Sequence, residues 1–506
     1  MSSSVFWNRN LTPQEVWFVC LVAIGLHLLP LILVDYAYID DIWRSQTASI
    51  TNGSADSWVV QGRVLTEVLH LLLGFSAAGP NLFPLPLLLA WPLIAAALAR
   101  LAMHYYPQPR LTHVLVVLPL WFNPFFLQNL SYQYDAPAMG LALAACAWAI
   151  ALGAKGWRSW WLGGLLIGVA CSLYQVSINV YVGLTCLEIM RRVVEGSRAV
   201  DVFKHLVARA GQFLAGCVIY LLTAHQLVDV PRSAMLPLDA RWLAEMQARL
   251  QITSEHVALL LTPGTIWLCW TLIGLALAML TVHLVAIARS SRPVWERWCL
   301  GVALLLPVPV SLVMVSGMAL LFAEFNPGAR LLMGFGPSLV ILLWLAHDAL
   351  QRVHSRLSWV IALPVLFMLS FSFAYGRVLV QQKELQRVVS FSLAHELQVQ
   401  PTLRDADHYY LLGYDADHSW VPAASGSFKA MPALEYVLNI HFMILPEMMP
   451  RVGIKPFQGE PPLDRQQLQA LAPRAVVNSE FFTIYRIEQS VYVVMNLPHD
   501  LSSPSL

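Results

Sequence analysis

Charge is scarce in this sequence. Asp, Glu, Lys and Arg make up 12% of its 506 residues and hydrophobic residues 58%, where a soluble protein carries roughly 25% charged residues. That excludes an ordinary soluble globular protein. The few charges sum to +1, which implies no strong polyanion and therefore no nucleic acid as partner. Cysteine is also sparse. Cys20, Cys146, Cys171, Cys186, Cys217, Cys269 and Cys299 all lie within or beside apolar blocks, and none forms a CxxC pair. The polar C-terminal region has none, so it is not a disulfide-stapled module. Neither GxxxxGKS/T nor GxGxxG occurs, which argues against a nucleotide-driven pump.

What is abundant is apolar residues, and they are gathered in long runs. Blocks of about 20 such residues span a bilayer as helices. The sequence therefore predicts a polytopic α-helical membrane protein. About eleven spans are expected, near 15–34, 82–103, 112–129, 136–153, 159–173, 177–190, 211–228, 265–287, 299–321, 331–349 and 358–376. The first block has no small-residue cleavage pattern and reads as a retained span. Lys and Arg gather in alternate loops, at 154–158, 191–209, 288–297 and 351–356. Basic loops face the cytoplasm. The N-terminus is then cytoplasmic and residues 377–506 lie outside.

The opposite loops carry carboxylates and isolated arginines, for which topology offers no reason. DYAYIDDIWR (35–44) opens a first outer loop that runs to residue 81, and VLTEVLHLLLGF (64–75) within it suits a helix lying in the membrane interface. From about residue 377 the composition turns polar. The runs YYLLGY and EFFTIYRIEQSVYVVM favour strands, so 377–506 is expected to form a small α/β or mostly β domain outside the membrane, after a catalytic membrane domain at 1–376.

Four polar groups stand out. Asp40 and Asp41 are adjacent; like charges repel, which poises one of them as a base, although an Asp40–Arg44 helix pair is an equally good bland account. Asp41 is slightly favoured as the base, since Arg44 is the i,i+4 partner of Asp40. Arg63 follows on the same loop. Asp135 in SYQYDAP is either a helix cap or a site residue. Tyr174, Gln175 and Asn179 form a polar set inside an apolar block, suited to helix packing or to ligand. Glu324 and Arg330 flank the opening of a late span, where snorkelling is the alternative. His27, His225 and His283 read as packing residues.

The order DYAYIDDIWR, W-x-x-x-GR-x-L (Trp58 to Leu65), YQYDAPAMGLAL, LYQVSINVY and NPGARLLMGFG resembles the type II glucosyltransferases, the serotype-converting O-antigen enzymes. Val64 stands where that pattern would carry proline. The resemblance implies a GT-C-like enzyme of the bacterial inner membrane. It would move a sugar, glucose by analogy, from a polyprenyl phosphate donor to a cell-surface glycan acceptor on the periplasmic face. It also implies partner proteins, a glycosyltransferase that loads the polyprenyl phosphate and a flippase. By motif the catalytic acid falls at Asp40 or Asp41. Arg44, Arg63 and Arg330 suit the donor phosphate, because arginine binds phosphate bidentately. Asp135, Tyr174, Gln175, Asn179 and Glu324 are left to bind substrate. No metal-ligand spacing is present, and a divalent cation among Asp40, Asp41 and Asp135 stays open. The competing readings are a transporter or flippase of lipid-linked sugars, using Asp40, Asp135 and Arg330 as gates, and an assembly protein whose exported tail binds a partner. Absence of an internal repeat weighs against the transporter.

Overall fold

A computed structural model describes residues 9–47, 57–76, 78–154, 156–229, 234–413, 419–471 and 474–496. Lys155, in one of the basic loops, and residues 48–56 of the first outer loop lie outside them, as does the extreme N-terminus assigned to the cytoplasm. The chain divides into two compact units: Met1–Leu33 with Ala48–Phe373, and Val34–Thr47 with Ala374–Leu506.

The first unit is helical. Its opening helix, Pro13–Val34, starts where the sequence dictates. Thr12 and Glu15 form a reciprocal cap, with Thr12 N–H donating to the Glu15 carboxylate (2.8 Å) and Glu15 N–H to the Thr12 hydroxyl (3.3 Å). Pro13 sits in the first turn, where its missing N–H costs nothing. Among the described residues six segments are long and apolar enough to cross a membrane: Pro13–Val34, Leu85–Tyr105, Ala199–Leu227, Ile266–Ala288, Val294–Val313 and Ser355–Val399. Of the other expected spans, 331–349 carries the unbroken 19-residue helix Phe335–Val353 and the rest carry helix that is short or broken, so eleven crossings are not established. Proline supplies one cause. Block 112–129 is split into Leu111–Val117, Pro119–Phe122 and Phe126–Ser131, because Pro119 and Pro124 cannot continue the ladder. Pro307 also separates Val294–Leu305 from Pro307–Val313, although the two together are long enough to cross.

Two elements bear on the site. Val64–Gly74 buries Thr66, Glu67 and His70 and leaves Val68, Leu72 and Phe75 exposed, the outward apolar face expected of a helix against lipid. The stretch 229–260, expected to be a loop, contains a helix, Trp242–Ala258. Its buried Arg249 donates to the carbonyls of Leu320, Phe322 and Ala323 and so fixes the backbone leading to Arg330.

The second unit is α/β. Helix Ala362–Val399 runs into it. A four-stranded sheet follows: β1 His408–Leu412, β2 Ala475–Asn478, β3 Phe482–Ile487 and β4 Ser490–Met495, in the order β1-β4-β3-β2. β1 pairs parallel to β4 and the other pairs are antiparallel. Ile42 is part of the unit's core, with Val389, Leu393, Met443, Met448, Phe457 and Phe482.

Candidate active site

In the first unit the sequence-predicted residues Arg63, Asp135, Tyr174 and Arg330 come together. Gly62 makes the turn that presents Arg63. Its φ is +74°, and a Cβ there would meet the Tyr220 hydroxyl at 2.3 Å, so only glycine fits. Arg63 reaches the Asp135 carboxylate at 3.3 Å, and its guanidinium lies over the Tyr174 ring, 4.8 Å from the centroid. Asp135 also accepts from the Trp58 indole at 2.9 Å. Trp58 stacks on His70 (4.9 Å), whose Nε2 meets the Tyr134 carbonyl at 2.8 Å. Glu67 receives Ser57 Oγ (3.2 Å) and Val59 N–H (3.3 Å). The broken helix supplies the other wall. Gln128 accepts from Arg330 N–H, Asn129 donates to the Arg330 carbonyl (3.1 Å), and Arg330 donates to the Tyr132 hydroxyl (2.8 Å). Tyr174 thus lies within electrostatic reach of Arg63, Arg330 and Asp135, two cations against one anion. Such a set favours an anionic ligand and offers it planar, bidentate donors.

The remaining predicted residues sit elsewhere. Gln175 donates to the Gln61 carbonyl (2.8 Å) and the Tyr220 hydroxyl (3.0 Å), bracing the Gly62 turn. Asn179 donates to the Ser316 carbonyl (3.2 Å) and accepts from Met318 N–H (3.2 Å), holding the backbone around Gly317. Glu324 is exposed. His27 is buried against the Phe122 ring (4.6 Å), His283 meets Asp348 at 3.1 Å, and His225 lies edge-on to Tyr220. Among the described residues no three His, Cys, Asp or Glu side chains gather as a metal cage would.

Asp40, Asp41 and Arg44 belong to the second unit. Asp41 is fully buried and accepts from Tyr38 N–H at 3.0 Å. Asp40 is half-buried. Arg44 is 2% exposed, its guanidinium 4.7 Å from the Trp43 ring centroid, which leaves it little access to a ligand. The loop is strained: Asp35 and Ile39 both have φ +45°. For a β-branched residue this is a true outlier, costing about 1–3 kcal/mol. Contacts from the far end of the chain hold it. Lys383 donates to the carbonyls of Val34 and Asp35 (both 2.8 Å), Tyr36 to Gln386 (2.8 Å), and Tyr38 to the Leu438 carbonyl (2.5 Å). Gln46 donates to the Glu447 carbonyl, and Arg451 to Ser45 Oγ (3.0 Å). Burial pushes the Tyr36 hydroxyl above its ordinary range. Desolvation pulls the Arg451 guanidinium down, and Asp35 and Asp41 pull it back up; arginine stays charged under such opposed effects.

Sequence reasoning missed Gln128, Asn129, Tyr132, Arg249, Tyr38, Lys383 and Arg451. Tyr132 and Asn129 carried a signal, polarity within a membrane block beside Asp135. Lys383 and Arg451 carried none.

The helices define an integral membrane protein, and the half-buried Arg63 and Arg330 with the buried Asp135 form a polar cluster within it. The profile of the glucosyl transferase GtrII family matches residues 29–341, more than half of the chain, and the chain belongs to that family. It is also similar to a protein of Salmonella phage P22 described as an uncharacterized 55.3 kDa protein in the gtrB 5' region, with 24% identity over 197 residues, 38% of this chain and 39% of the relative. The match thus spans about two fifths of that relative's length. No solved structure matches.

Proposed function

We propose that this enzyme transfers glucose from polyprenyl phosphate to a cell-surface glycan such as O-antigen, on the periplasmic face of the inner membrane, by a single inverting displacement. The observation that supports this most is the grouping of Arg63, Arg330 and Asp135 around Tyr174. A polyprenyl phosphate is already a good leaving group, so no general acid is needed. In the proposed step the acceptor oxygen attacks the anomeric carbon and the bond to phosphate breaks. The acceptor proton passes to a carboxylate, and Arg63 and Arg330 take up the charge that develops on the departing phosphate. Between the two carboxylates we assign the base to Asp40. Asp41 has no exposure and is occupied with Tyr38 N–H, so its role is to hold the turn, whereas Asp40 retains access. This reverses the preference for Asp41 that helix spacing suggested.

The test is transfer by the purified protein from polyprenyl phosphate glucose to an O-antigen acceptor in detergent, with no ion gradient. The reading expects turnover and a product of inverted anomeric configuration. No transfer without a gradient would favour a transporter, and a retained configuration would remove the single displacement. Alkaline phosphatase fused after residue 400, past helix Ala362–Val399, should be active, and fused after residue 293, ahead of Val294–Leu305, inactive. The reverse would put the acceptor on the wrong side.

A further inference from the structure

The family match ends at residue 341, so it gives residues 374–506 of the second unit no role. Yet that unit contains DYAYIDDIWR. Ile42 is 1% exposed within its hydrophobic core, and its polar contacts to the loop come from residues 383, 386, 438, 447 and 451. These contacts fall on a turn whose backbone is strained at Asp35 and Ile39. A strained backbone persists only where surrounding structure over-determines it, and here the C-terminal unit supplies that structure. Three carboxylates, Asp35, Asp40 and Asp41, lie within residues 35–41 of the turn, and like charges brought close repel. Arg451, at the end of the segment Pro446–Val452, brings a guanidinium into electrostatic range of Asp35 and Asp41 while donating to Ser45 on helix Asp41–Thr47.

We propose that the C-terminal unit is a working part of the catalytic loop, with Arg451 as its positioning residue: its positive charge, anchored on Ser45, offsets the carboxylate repulsion and keeps Asp40 in place to act. Arg451 does not itself touch the sugar. It acts through the loop. The inference rests on the reading that the Asp40–Asp41 loop is catalytic.

Two variants separate charge from hydrogen bonding. Arg451→Lys keeps the charge. Arg451→Gln keeps a donor for Ser45 and loses the charge. In the full-length protein in detergent, with polyprenyl phosphate glucose and an O-antigen acceptor, Arg451→Lys should stay within about threefold of wild type. Arg451→Gln should lose about 10- to 100-fold in kcat, as expected for loss of a charge-assisted contact. Donor KM should be unchanged in both, because a positioning residue does not hold the substrate. Limited proteolysis of the C-terminal unit, run in parallel, should show both variants folded. A purely structural role would instead make Arg451→Lys and Arg451→Gln fall together with protease resistance, and that overturns the inference. Wild-type kcat in Arg451→Gln beside an inactive Asp40→Asn overturns it too and leaves the base assignment intact. Wild-type kcat in both overturns the two together.

Discussion

The Asp40–Asp41 loop and the Arg63–Arg330 cluster differ in what holds them. The arginine cluster is fixed by its neighbours in the helical unit. Arg63 is paired with Asp135 and lies on Tyr174, and Arg330 is fastened by Gln128, Asn129 and Tyr132. Its geometry follows from helix ends and from breaks at proline. The acidic loop is fixed by residues some hundreds of positions later, and its backbone is strained at Ile39. One region is a cluster of paired polar side chains among helices. The other is a short peptide held in an unfavourable turn by distant residues of its own folded unit. Substitutions should therefore act on binding in the first region and on turnover or folding in the second.

The largest expected effect is on the loop's support. Ile42→Asp puts an unpaired charge into the C-terminal core, where Ile42 is 1% exposed. Burying such a charge costs several kcal/mol, enough to unfold the unit. Limited proteolysis should show loss of the protected C-terminal fragment, with no turnover. Next come Arg63→Lys and Arg330→Lys. Each keeps the charge and loses the fork, and each charge-assisted hydrogen bond is worth roughly 1.5–3 kcal/mol, so kcat/KM should fall about 10- to 150-fold. The same protease assay should find the C-terminal unit intact. Near-normal kcat/KM would remove these arginines from the donor site.

Smaller effects sharpen the contrast. Tyr38→Phe removes the bond to the Leu438 carbonyl, a net loss of about 1 kcal/mol. It should lower kcat about fivefold with donor KM unchanged. A rise in donor KM instead would mean that the loop binds donor. Glu324→Gln alters an exposed side chain and should leave kcat/KM within about twofold. A tenfold loss there would restore Glu324 to the site.

Much of the helical unit could be read in the sequence, because its signals are local. Apolar runs mark the helices, and VLTEVLHLLLGF is helical over Val64–Gly74. Arg63, Asp135, Tyr174 and Arg330 could each be singled out as polar residues beside or within apolar runs. The number of crossings was not legible. Pro119 and Pro124 interrupt an apolar block that hydropathy reads as continuous. The company kept by the acidic loop was hidden as well. No periodicity connects Tyr38 with Leu438, or Ser45 with Arg451. Ile39 gives no sign of its positive φ, because a β-branched residue there runs against local preference. The difference in burial between Asp40 and Asp41 could not be read either, since two adjacent identical residues do not reveal it in sequence.

The choice of Asp40 as the base is where the account is most exposed. Asp40→Asn and Asp41→Asn, each purified in full length, should be compared for single-turnover transfer from polyprenyl phosphate glucose, alongside protease resistance of the C-terminal unit. General-base catalysis contributes about 10²–10⁴-fold. Asp40→Asn should lose that much transfer while its C-terminal unit stays as resistant as wild type, and Asp41→Asn should lose resistance together with activity. Wild-type transfer by Asp40→Asn would contradict the account and leave DYAYIDDIWR as a polar collar at the end of a membrane helix.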